Sequence, residues 1–400
     1  MYCSVATIAG GGYNTANGYA AFVGGGGQAS AESSTGGVFG NRASGDWAAV
    51  VAGKANSAIG IYTSVGGGWE NRADDIATSV GGGWSNEALG SYAHVGGGFH
   101  NSAHGYATFV GGGSANSVNG LYSCVSGGRQ NIISHRYGFI GGGADNILAA
   151  RESFIGGGLN NKVTAIGGLV VGGNLNTVNG YHGSIGGGWG NMATDPYAVV
   201  SGGYLNKAQG LGSTVSGGLN QVASGAYSVV GGGIRNNVTS QNGGISSGID
   251  NTLRGDDSFI GGGRANTITG TDAFIVGGES NIVHGANGFV GGGWRNLASG
   301  HYAGIVGGFR NTVAGIANIV GGGADHTVIG TYGVVAGGHH NYVNASEAVI
   351  SGGGYNTNTG RKAAVGGGEY NKATGYAAII AGGTHNIASH SMAVVGGGWR

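Results

Sequence analysis

The chain has 400 residues, of which 98 are glycine and one is proline, and its 17 Lys and Arg balance its 17 Asp and Glu. Glycine is too sparse and proline too rare for collagen, while 40% apolar residues and zero net charge exclude disorder driven by charge. The neutral balance argues against a nucleic-acid partner, and no apolar run reaches the roughly 18 residues of a membrane-spanning helix. Residues 1–30 lack the basic and apolar regions that mark a secretory signal.

A repeat of 15 residues organises nearly the whole chain. Counting positions from residue 31, so that position 1 is residue 31, 46 or 61, gives 24 uninterrupted blocks up to residue 390. Residues 391–400 start a further block. Residues 1–30 contain similar short motifs, but these are out of register with the 15-residue blocks. We therefore expect irregular N-terminal coils or a cap at 1–30, followed by a continuous repeat array at 31–400 that ends within a coil.

Each block contains two stretches of alternating residues, at positions 2–5 and 10–13, separated by glycine-rich turns. Position 5 is Val or Ile in 23 of 24 blocks, position 11 is Asn in 22, and position 13 is Ala, Val, Ile or Leu in 23. Alternation with period two predicts short β-strands that bury one face. The sequence therefore predicts an all-β fold, a parallel β-solenoid flattened into a two-sheet roll, with about 24–25 coils of two short strands each.

The asparagines at position 11 point inward in this interpretation. They should stack as a hydrogen-bonded ladder, in which each side-chain amide bonds the one in the next coil. An asparagine that recurs in almost every coil indicates structure rather than catalysis. Because the blocks have no insertions, no long loops are available to form the walls of a binding cleft. We therefore expect no enzymatic activity, no cofactor and no metal site. Representative ladder residues are Asn71, Asn86, Asn101 and Asn116.

An apolar stripe is predicted on the outer face of the first strand. Position 4 is often a large apolar residue and position 2 is often tyrosine, whereas outward positions 12 and 14 of the second strand are mostly polar. Soluble monomers rarely expose such long apolar patches, so the stripe predicts a subunit interface closed by cyclic symmetry. The predicted interface residues are Phe109, Phe139, Phe154, Phe259, Phe274, Phe289, Tyr92 and Tyr137.

Aromatic residues also recur at position 9, just after the glycine triplet. Aromatic side chains dominate interaction hot spots, so these residues are candidate contacts to sugar rings or to a protein partner. The alternative is that they cover the glycine turns or pack against a neighbouring subunit. The candidates are Trp69, Trp84, Phe99, Trp189, Tyr204, Trp294 and Phe309, of which Trp69 and Trp84 lie one coil apart.

The phrase Val-Gly-Gly-Gly-x-x-Asn-x-Ala-x-Gly-x-Tyr-Ala resembles the head repeats of trimeric autotransporter adhesins, and similar repeats occur in phage tail fibres. The resemblance covers essentially all of residues 31–400 and implies a left-handed parallel β-roll with three chains packed side by side. The repeat departs from that family in its period of 15 and in its glycine triplet. The neck, the coiled-coil stalk and the membrane anchor of those adhesins have no counterpart in this sequence.

These observations favour a structural and adhesive role. We expect a homotrimeric, head-like projection outside the cell, on a cell surface or a virion, that binds a host protein, a matrix component or a glycan. The alternatives are the shaft of a phage tail fibre and a self-assembling extracellular filament. Ice binding ranks lower, because ice-binding solenoids show a regular threonine ladder. Here Thr252 and Thr267 occupy the same position of consecutive blocks, but Ile282 interrupts this column of threonines.

Overall fold

A computed structural model describes residues 5–27 and 40–399 of the chain. These residues form 51 short strands in parallel ladders and no helix, which confirms the predicted all-β parallel solenoid of about 25 coils with two strands each. It follows that no helix in this part of the chain has the length and apolar character needed to cross a membrane. The contacts divide the chain into two compact units, Met1–Tyr197 and Ala198–Arg400.

The strands are numbered in chain order, and each has two residues. The first unit contains β1 (Thr7–Ile8), β2 (Thr15–Ala16), β3 (Phe22–Val23), β4 (Arg42–Ala43), β5 (Ala49–Val50), β6 (Ser57–Ala58), β7 (Ser64–Val65), β8 (Arg72–Ala73), β9 (Ser79–Val80), β10 (Glu87–Ala88), β11 (His94–Val95), β12 (Ser102–Ala103), β13 (Phe109–Val110), β14 (Ser117–Val118), β15 (Cys124–Val125), β16 (Ile132–Ile133), β17 (Phe139–Ile140), β18 (Ile147–Leu148), β19 (Phe154–Ile155), β20 (Lys162–Val163), β21 (Leu169–Val170), β22 (Thr177–Val178), β23 (Ser184–Ile185) and β24 (Met192–Ala193). The second unit contains β25 (Val199–Val200), β26 (Lys207–Ala208), β27 (Thr214–Val215), β28 (Val222–Ala223), β29 (Val229–Val230), β30 (Asn237–Val238), β31 (Gly244–Ile245), β32 (Thr252–Leu253), β33 (Phe259–Ile260), β34 (Thr267–Ile268), β35 (Phe274–Ile275), β36 (Ile282–Val283), β37 (Phe289–Val290), β38 (Leu297–Ala298), β39 (Gly304–Ile305), β40 (Thr312–Val313), β41 (Ile319–Val320), β42 (Thr327–Val328), β43 (Val334–Val335), β44 (Tyr342–Val343), β45 (Val349–Ile350), β46 (Thr357–Asn358), β47 (Ala364–Val365), β48 (Lys372–Ala373), β49 (Ile379–Ile380), β50 (Ile387–Ala388) and β51 (Val394–Val395).

Each unit has two parallel sheets, which we call sheet 1 and sheet 2. Odd-numbered strands form sheet 1 and, in the repeat array, lie at positions 4–5; even-numbered strands form sheet 2 at positions 12–13. Neighbouring strands pair in register one coil apart, as Phe139 does with Phe154 in sheet 1. Within each unit, a described residue of one block therefore lies beside the equivalent residue of the next block, at the strand spacing of about 4.8 Å.

The strands are shorter than the alternation predicted. Positions 2 and 10, expected to begin the strands, are turn residues with positive φ, as in Tyr92 (φ 61°) and Glu70 (φ 56°). The chain must reverse within a few residues at these corners, and the left-handed conformation accomplishes that reversal. Position 9 instead forms a third ladder with one residue per coil, in which Trp69 bridges Trp84 in parallel.

The N-terminal strands belong to the same sheets as the repeat array. Strand β1 pairs with β3 at an offset of 15 residues, Thr7 opposite Phe22. Strand β3 then pairs with β5 at an offset of 27, Phe22 opposite Ala49. The extra chain between β3 and β5 includes residues 28–39, which lie outside the described part, and it accounts for the different register of the first 30 residues.

The core is a thin layer between the two sheets. Positions 3 and 5 point inward from sheet 1 and positions 11 and 13 from sheet 2, as predicted, so that Ile140 and Ala103 are both completely buried. Each buried Val or Ile stabilises the fold by roughly 1.5–3 kcal/mol. In the repeat array, sheet 1 supplies one such residue per coil, whereas the inward residue of sheet 2 is often only alanine, so stability depends on repetition of the coil.

The asparagine ladder is confirmed, and each side chain makes more bonds than predicted. The backbone N–H and Nδ2 of Asn86 both donate to Oδ1 of Asn71, at 3.0 and 3.1 Å. Nδ2 of Asn86 also donates to the carbonyls of Gly82 in its own coil and Gly98 in the next, at 2.9 and 2.8 Å. The ladder thus provides partners for buried backbone groups that the two-residue strands leave unpaired.

Two residues interrupt the ladder without breaking it. Gln221 accepts the next coil's N–H on Oε1 at 2.8 Å, but its Nε2 is buried without a hydrogen bond. The imidazole of His326 accepts the N–H of Asn341 on Nδ1 at 3.2 Å, and its Nε2 is likewise buried without a partner. The neutral ring therefore replaces only part of the asparagine's bonding.

We expect His326 to make the fold sensitive to mild acid. Burial lowers the pKa of His326 below its usual value near 6.5, because a charged ring would be desolvated. The unfolded chain then binds a proton at a higher pH than the folded chain does. Stability should be complete above about pH 6.5 and should fall as the pH drops below it. Urea unfolding of the unmodified chain and of His326→Asn at pH 7.5 and 5.5 should show a smaller acid loss in the variant; equal losses would contradict this prediction.

Candidate functional surfaces

The outer face of sheet 1 carries a file of phenylalanine side chains, which we call the apolar file. Phe139 stacks on Phe154 with ring centroids 5.3 Å apart, and Phe274 stacks on Phe259 at 5.4 Å and on Phe289 at 6.3 Å. Five of the six predicted phenylalanines are 37–41% exposed, and Phe259 is half-buried. In-register pairing places each ring beside the next, so each cluster forms one continuous apolar strip within its own unit. The residues of the file are Phe109, Phe139, Phe154, Phe259, Phe274 and Phe289.

The two tyrosines predicted to join this face lie elsewhere. Tyr92 and Tyr137 are turn residues with φ of 61° and 57°, so they are at the corner of the coil rather than on the sheet. Both are more than half exposed. Cys124 does belong to the file, between Phe109 and Phe139, and burial raises the pKa of its thiol, which favours the unreactive protonated form.

A glycine column lies at position 7, three residues after the apolar file along the chain. This position is glycine in 22 of 24 blocks. A Cβ added at Gly292 would meet no atom within 4 Å, and the alanine at residue 52 and the serine at 247 occupy the same position without positive φ. At position 8, by contrast, Gly293 has φ of 89°, and an added Cβ would overlap the carbonyl oxygen of Gly308. Space within the chain therefore requires glycine at position 8 but not at position 7.

The outer face of sheet 2 is mixed in character. Its position 12 carries charged residues such as Arg72 and Glu87, and also threonines that align between coils. Thr252 pairs with Thr267, and Thr312 with Thr327. In the described part of this face, apolar pairs such as Ile132 with Ile147 are separated by polar and charged residues.

Three of the position 9 aromatics in the first unit, Trp69, Trp84 and Phe99, pack as one group. Trp69 and Trp84 are parallel within 2°, with centroids 4.9 Å apart. Nζ of Lys54 lies over the ring of Trp69, 5.2 Å from its centroid. The ring of Phe99 meets that of Trp84 edge-on, with centroids 5.0 Å apart. Glu70 accepts a hydrogen bond from Nε1 of Trp84 at 3.4 Å. The ring faces are occupied by their neighbours, which supports a packing role; ligand contact at the exposed ring edges stays a prediction.

The second unit repeats this arrangement with arginine as the cation. Trp294 and Phe309 pack at 4.7 Å, and the guanidinium of Arg295 lies 4.2 Å from the ring of Trp294. Cation–π contacts at such exposed sites stabilise by about 0.5–1 kcal/mol. The remaining candidates, Trp189 and Tyr204, lie on the same third ladder in their own units, beside Asn174 and Leu219 respectively.

The acidic residues between 70 and 87 each have a partner of their own. Asp74 pairs with Arg72, and Asp75 accepts hydrogen bonds from Ser91 and from the backbone of Ile76, which lower the pKa of its carboxyl group. In residues 5–27 and 40–399, no three His, Cys, Asp or Glu side chains converge to hold a metal ion.

The sequence analysis did not predict the stacking of aromatic rings from successive coils at the turns. At position 10, the rings of His340, Tyr355, Tyr370 and His385 stack in succession with centroids 4.6–4.9 Å apart. At the opposite corner, Tyr92, Tyr106, Tyr122 and Tyr137 make successive contacts at 5.3–5.4 Å. The signal was a spacing of 14 to 16 residues between aromatic residues, which becomes a contact once the register is known.

Comparison with known families gives one match. A family model described as the grass antifreeze beta roll matches residues 236–337, which is about a quarter of the chain. No curated protein matches the sequence. The matched segment contains both aligned threonine pairs of sheet 2 and the phenylalanines of the second apolar cluster. The match is to a β-roll family other than the autotransporter heads, and it supports the repeat class without extending to the whole chain.

Proposed function

We propose that this chain is a structural and adhesive module that associates with copies of itself through the apolar file of sheet 1. The observation that carries the proposal is the pair of stacked phenylalanine clusters on the outer face of sheet 1, in which every ring except the half-buried Phe259 is about two fifths exposed. Apolar surface repeated over many coils is stabilised by burial, and a closed ring of three chains would bury it without open-ended growth. A homotrimeric left-handed roll outside the cell, on a cell surface or a virion, fits this surface.

The glycine column at position 7 supports the same interface. Position 6 is next to it and carries Val, Ser or Ala in 11 of 24 blocks, although an added Cβ there would crowd the neighbouring coil. Position 7 has open space and is still glycine in all but two blocks. Glycine permits another backbone to approach closely, and a neighbouring copy seated on the apolar file would make that approach.

The test is the association state of two variants measured by light scattering. Phe274→Asp places a charge in the middle of a cluster, and Gly292→Val fills the open space beside the file. Both should reduce the mass of the assembly while leaving circular dichroism unchanged. Thr267→Asp, on the outer face of sheet 2, is the matched control and should keep the mass. An assembly that survives Phe274→Asp with its mass unchanged would rule out the file as the interface.

The proposed role requires no catalysis, and a ligand for the adhesive function would be a host protein, a matrix component or a glycan. The ring edges of Trp69 and Trp84 are the proposed contact for such a ligand, since both are about 40% exposed. Solid-phase binding to immobilised matrix proteins and glycans would test this contact. Trp84→Ala should lower the bound fraction if the edges are used, whereas Trp189→Ala provides a comparison at an equivalent position.

Ice binding is the second candidate, because the antifreeze β-roll match coincides with the aligned threonines of sheet 2. A flat parallel sheet repeats its outward side chains at about 4.8 Å, which is a regular array of methyl and hydroxyl groups. Ile282 and Leu297 separate the two threonine pairs. Ice recrystallisation assays should show inhibition that Thr267→Lys abolishes and Phe274→Asp preserves; no inhibition by the unmodified chain would eliminate this candidate.

A further inference from the structure

Two groups of exposed tyrosines are held ring against ring by the coil spacing. Tyr355 and Tyr370 lie at position 10 of consecutive blocks, with centroids 4.9 Å apart and planes within 5°. At the opposite corner of the first unit, Tyr122 and Tyr137 stack at 5.4 Å with planes within 9°. All four rings are between 42% and 52% exposed, so they are accessible to reagents from solution.

The stacking is enforced by the fold rather than by chance contact. Strand pairing places residues 15 apart side by side, and the same left-handed turn aims both side chains outward, with φ of 58° at Tyr355 and 53° at Tyr370. Neighbouring rings therefore stay paired for as long as the coils are folded. Two reactive groups held in this way react with each other far faster than free groups that must meet by diffusion.

We propose that these stacked tyrosine pairs are sites of oxidative cross-linking that join adjacent coils covalently. A peroxide-dependent one-electron oxidant removes one electron and one proton from each phenol, which gives two phenoxyl radicals. The radicals couple through the ring carbons ortho to the oxygens, and each ortho proton then moves to the phenolic oxygen of its ring, which restores both aromatic rings with their hydroxyls. Overall, two tyrosines lose two hydrogen atoms to form one carbon–carbon bond, and hydrogen peroxide is reduced to two molecules of water.

The chain contains its own comparison for this chemistry. Tyr302 and Tyr332 are each 61% exposed, more than either member of the stacked pairs. They lie two coils apart in the same column, with Ala317 between them, so neither has a tyrosine neighbour in register. Exposure alone predicts oxidation at Tyr302 and Tyr332, whereas pairing predicts coupling at Tyr355 and Tyr370.

A cross-link at this site would close the chain across one coil. Residues 355 and 370 would become covalently fixed, so this coil could no longer separate from the next during unfolding. Constraining the unfolded chain in this way raises stability, as a disulfide does. The oxidised protein should therefore unfold at a higher urea concentration than the untreated protein.

The experiment treats the full chain with horseradish-type peroxidase and hydrogen peroxide at high dilution and maps cross-linked peptides by mass spectrometry. The expected product joins Tyr355 to Tyr370 within one chain and shows dityrosine fluorescence. Tyr355→Phe should lose that peptide, while the double variant Tyr302→Phe/Tyr332→Phe should keep it. The proposal is overturned if cross-links occur mainly at Tyr302 and Tyr332, or if Tyr355→Phe leaves the dityrosine yield unchanged.

Discussion

Replacing Asn266 by leucine should destabilise the second unit more than any substitution on its surface. Asn266 is fully buried, and its Nδ2 donates to the carbonyls of Gly262 and Gly278 at 3.0 and 2.9 Å. Its Oδ1 accepts the N–H of Asn281 at 3.0 Å. Leucine would leave the Gly262 carbonyl and the Asn281 N–H buried without partners. At about 1–3 kcal/mol for each orphaned group, the expected loss is about 2–6 kcal/mol.

The measurement is urea unfolding followed by circular dichroism, with Thr267→Ala as the control. Thr267 follows Asn266 in the chain and belongs to the same coil, but it points outward from sheet 2. Its substitution should change the free energy of unfolding by no more than about 0.5 kcal/mol, as is usual for surface sites. A similar midpoint for Asn266→Leu and Thr267→Ala would show that the ladder does not stabilise the coils.

The second large effect is expected from alanine at a single position of the glycine triplet. Gly293→Ala places a Cβ on a residue with φ of 89°, where it would overlap the backbone of Gly308 in the next coil. Two of the three nearest atoms are backbone atoms of Gly308, which cannot rotate away, and the third is Nδ2 of Asn296, so the two coils must separate locally. Backbone strain of this kind costs about 1–3 kcal/mol for the conformation alone, and the overlap adds to it.

Gly292→Ala is the matched control for this substitution. Gly292 precedes Gly293 directly, and an added Cβ there meets nothing within 4 Å. Its unfolding midpoint should fall much less than that of Gly293→Ala, because no atom of its own chain opposes the added Cβ and only contact with another copy of the chain would disfavour it. Equal destabilisation by the two variants, measured by urea unfolding of dilute protein, would contradict the assignment of separate roles to positions 7 and 8.

Repetition made the buried residues predictable from the sequence. Position 5, with Val or Ile, and position 11, with Asn, each recur at a fixed interval, and only an inward location explains such restricted choices. Ile140 and Asn86 are indeed buried completely. The hydrogen bonds of Asn86 to glycine carbonyls were not predicted, because they depend on where the short strands stop.

The corners were harder to predict because alternation does not reveal backbone conformation. Tyr92 at position 2 continues the apolar pattern of the first strand, yet it adopts positive φ. Tyrosine is uncommon in that region, so its residue type gave no warning. The sequence likewise identified Trp69 and Trp84 as neighbours but not the contacts that cover their ring faces.

The mass of the unmodified chain in solution tests the central claim most directly. Light scattering across a dilution series measures the mass of the assembly. A mass greater than that of one chain is expected if other copies of the chain cover the apolar file of sheet 1. We predict three times the mass of one chain, unchanged on dilution, because an interface formed by the stacked phenylalanines should persist. A mass equal to one chain at every concentration would contradict the proposal, and the exposed file would then have to bind a different partner.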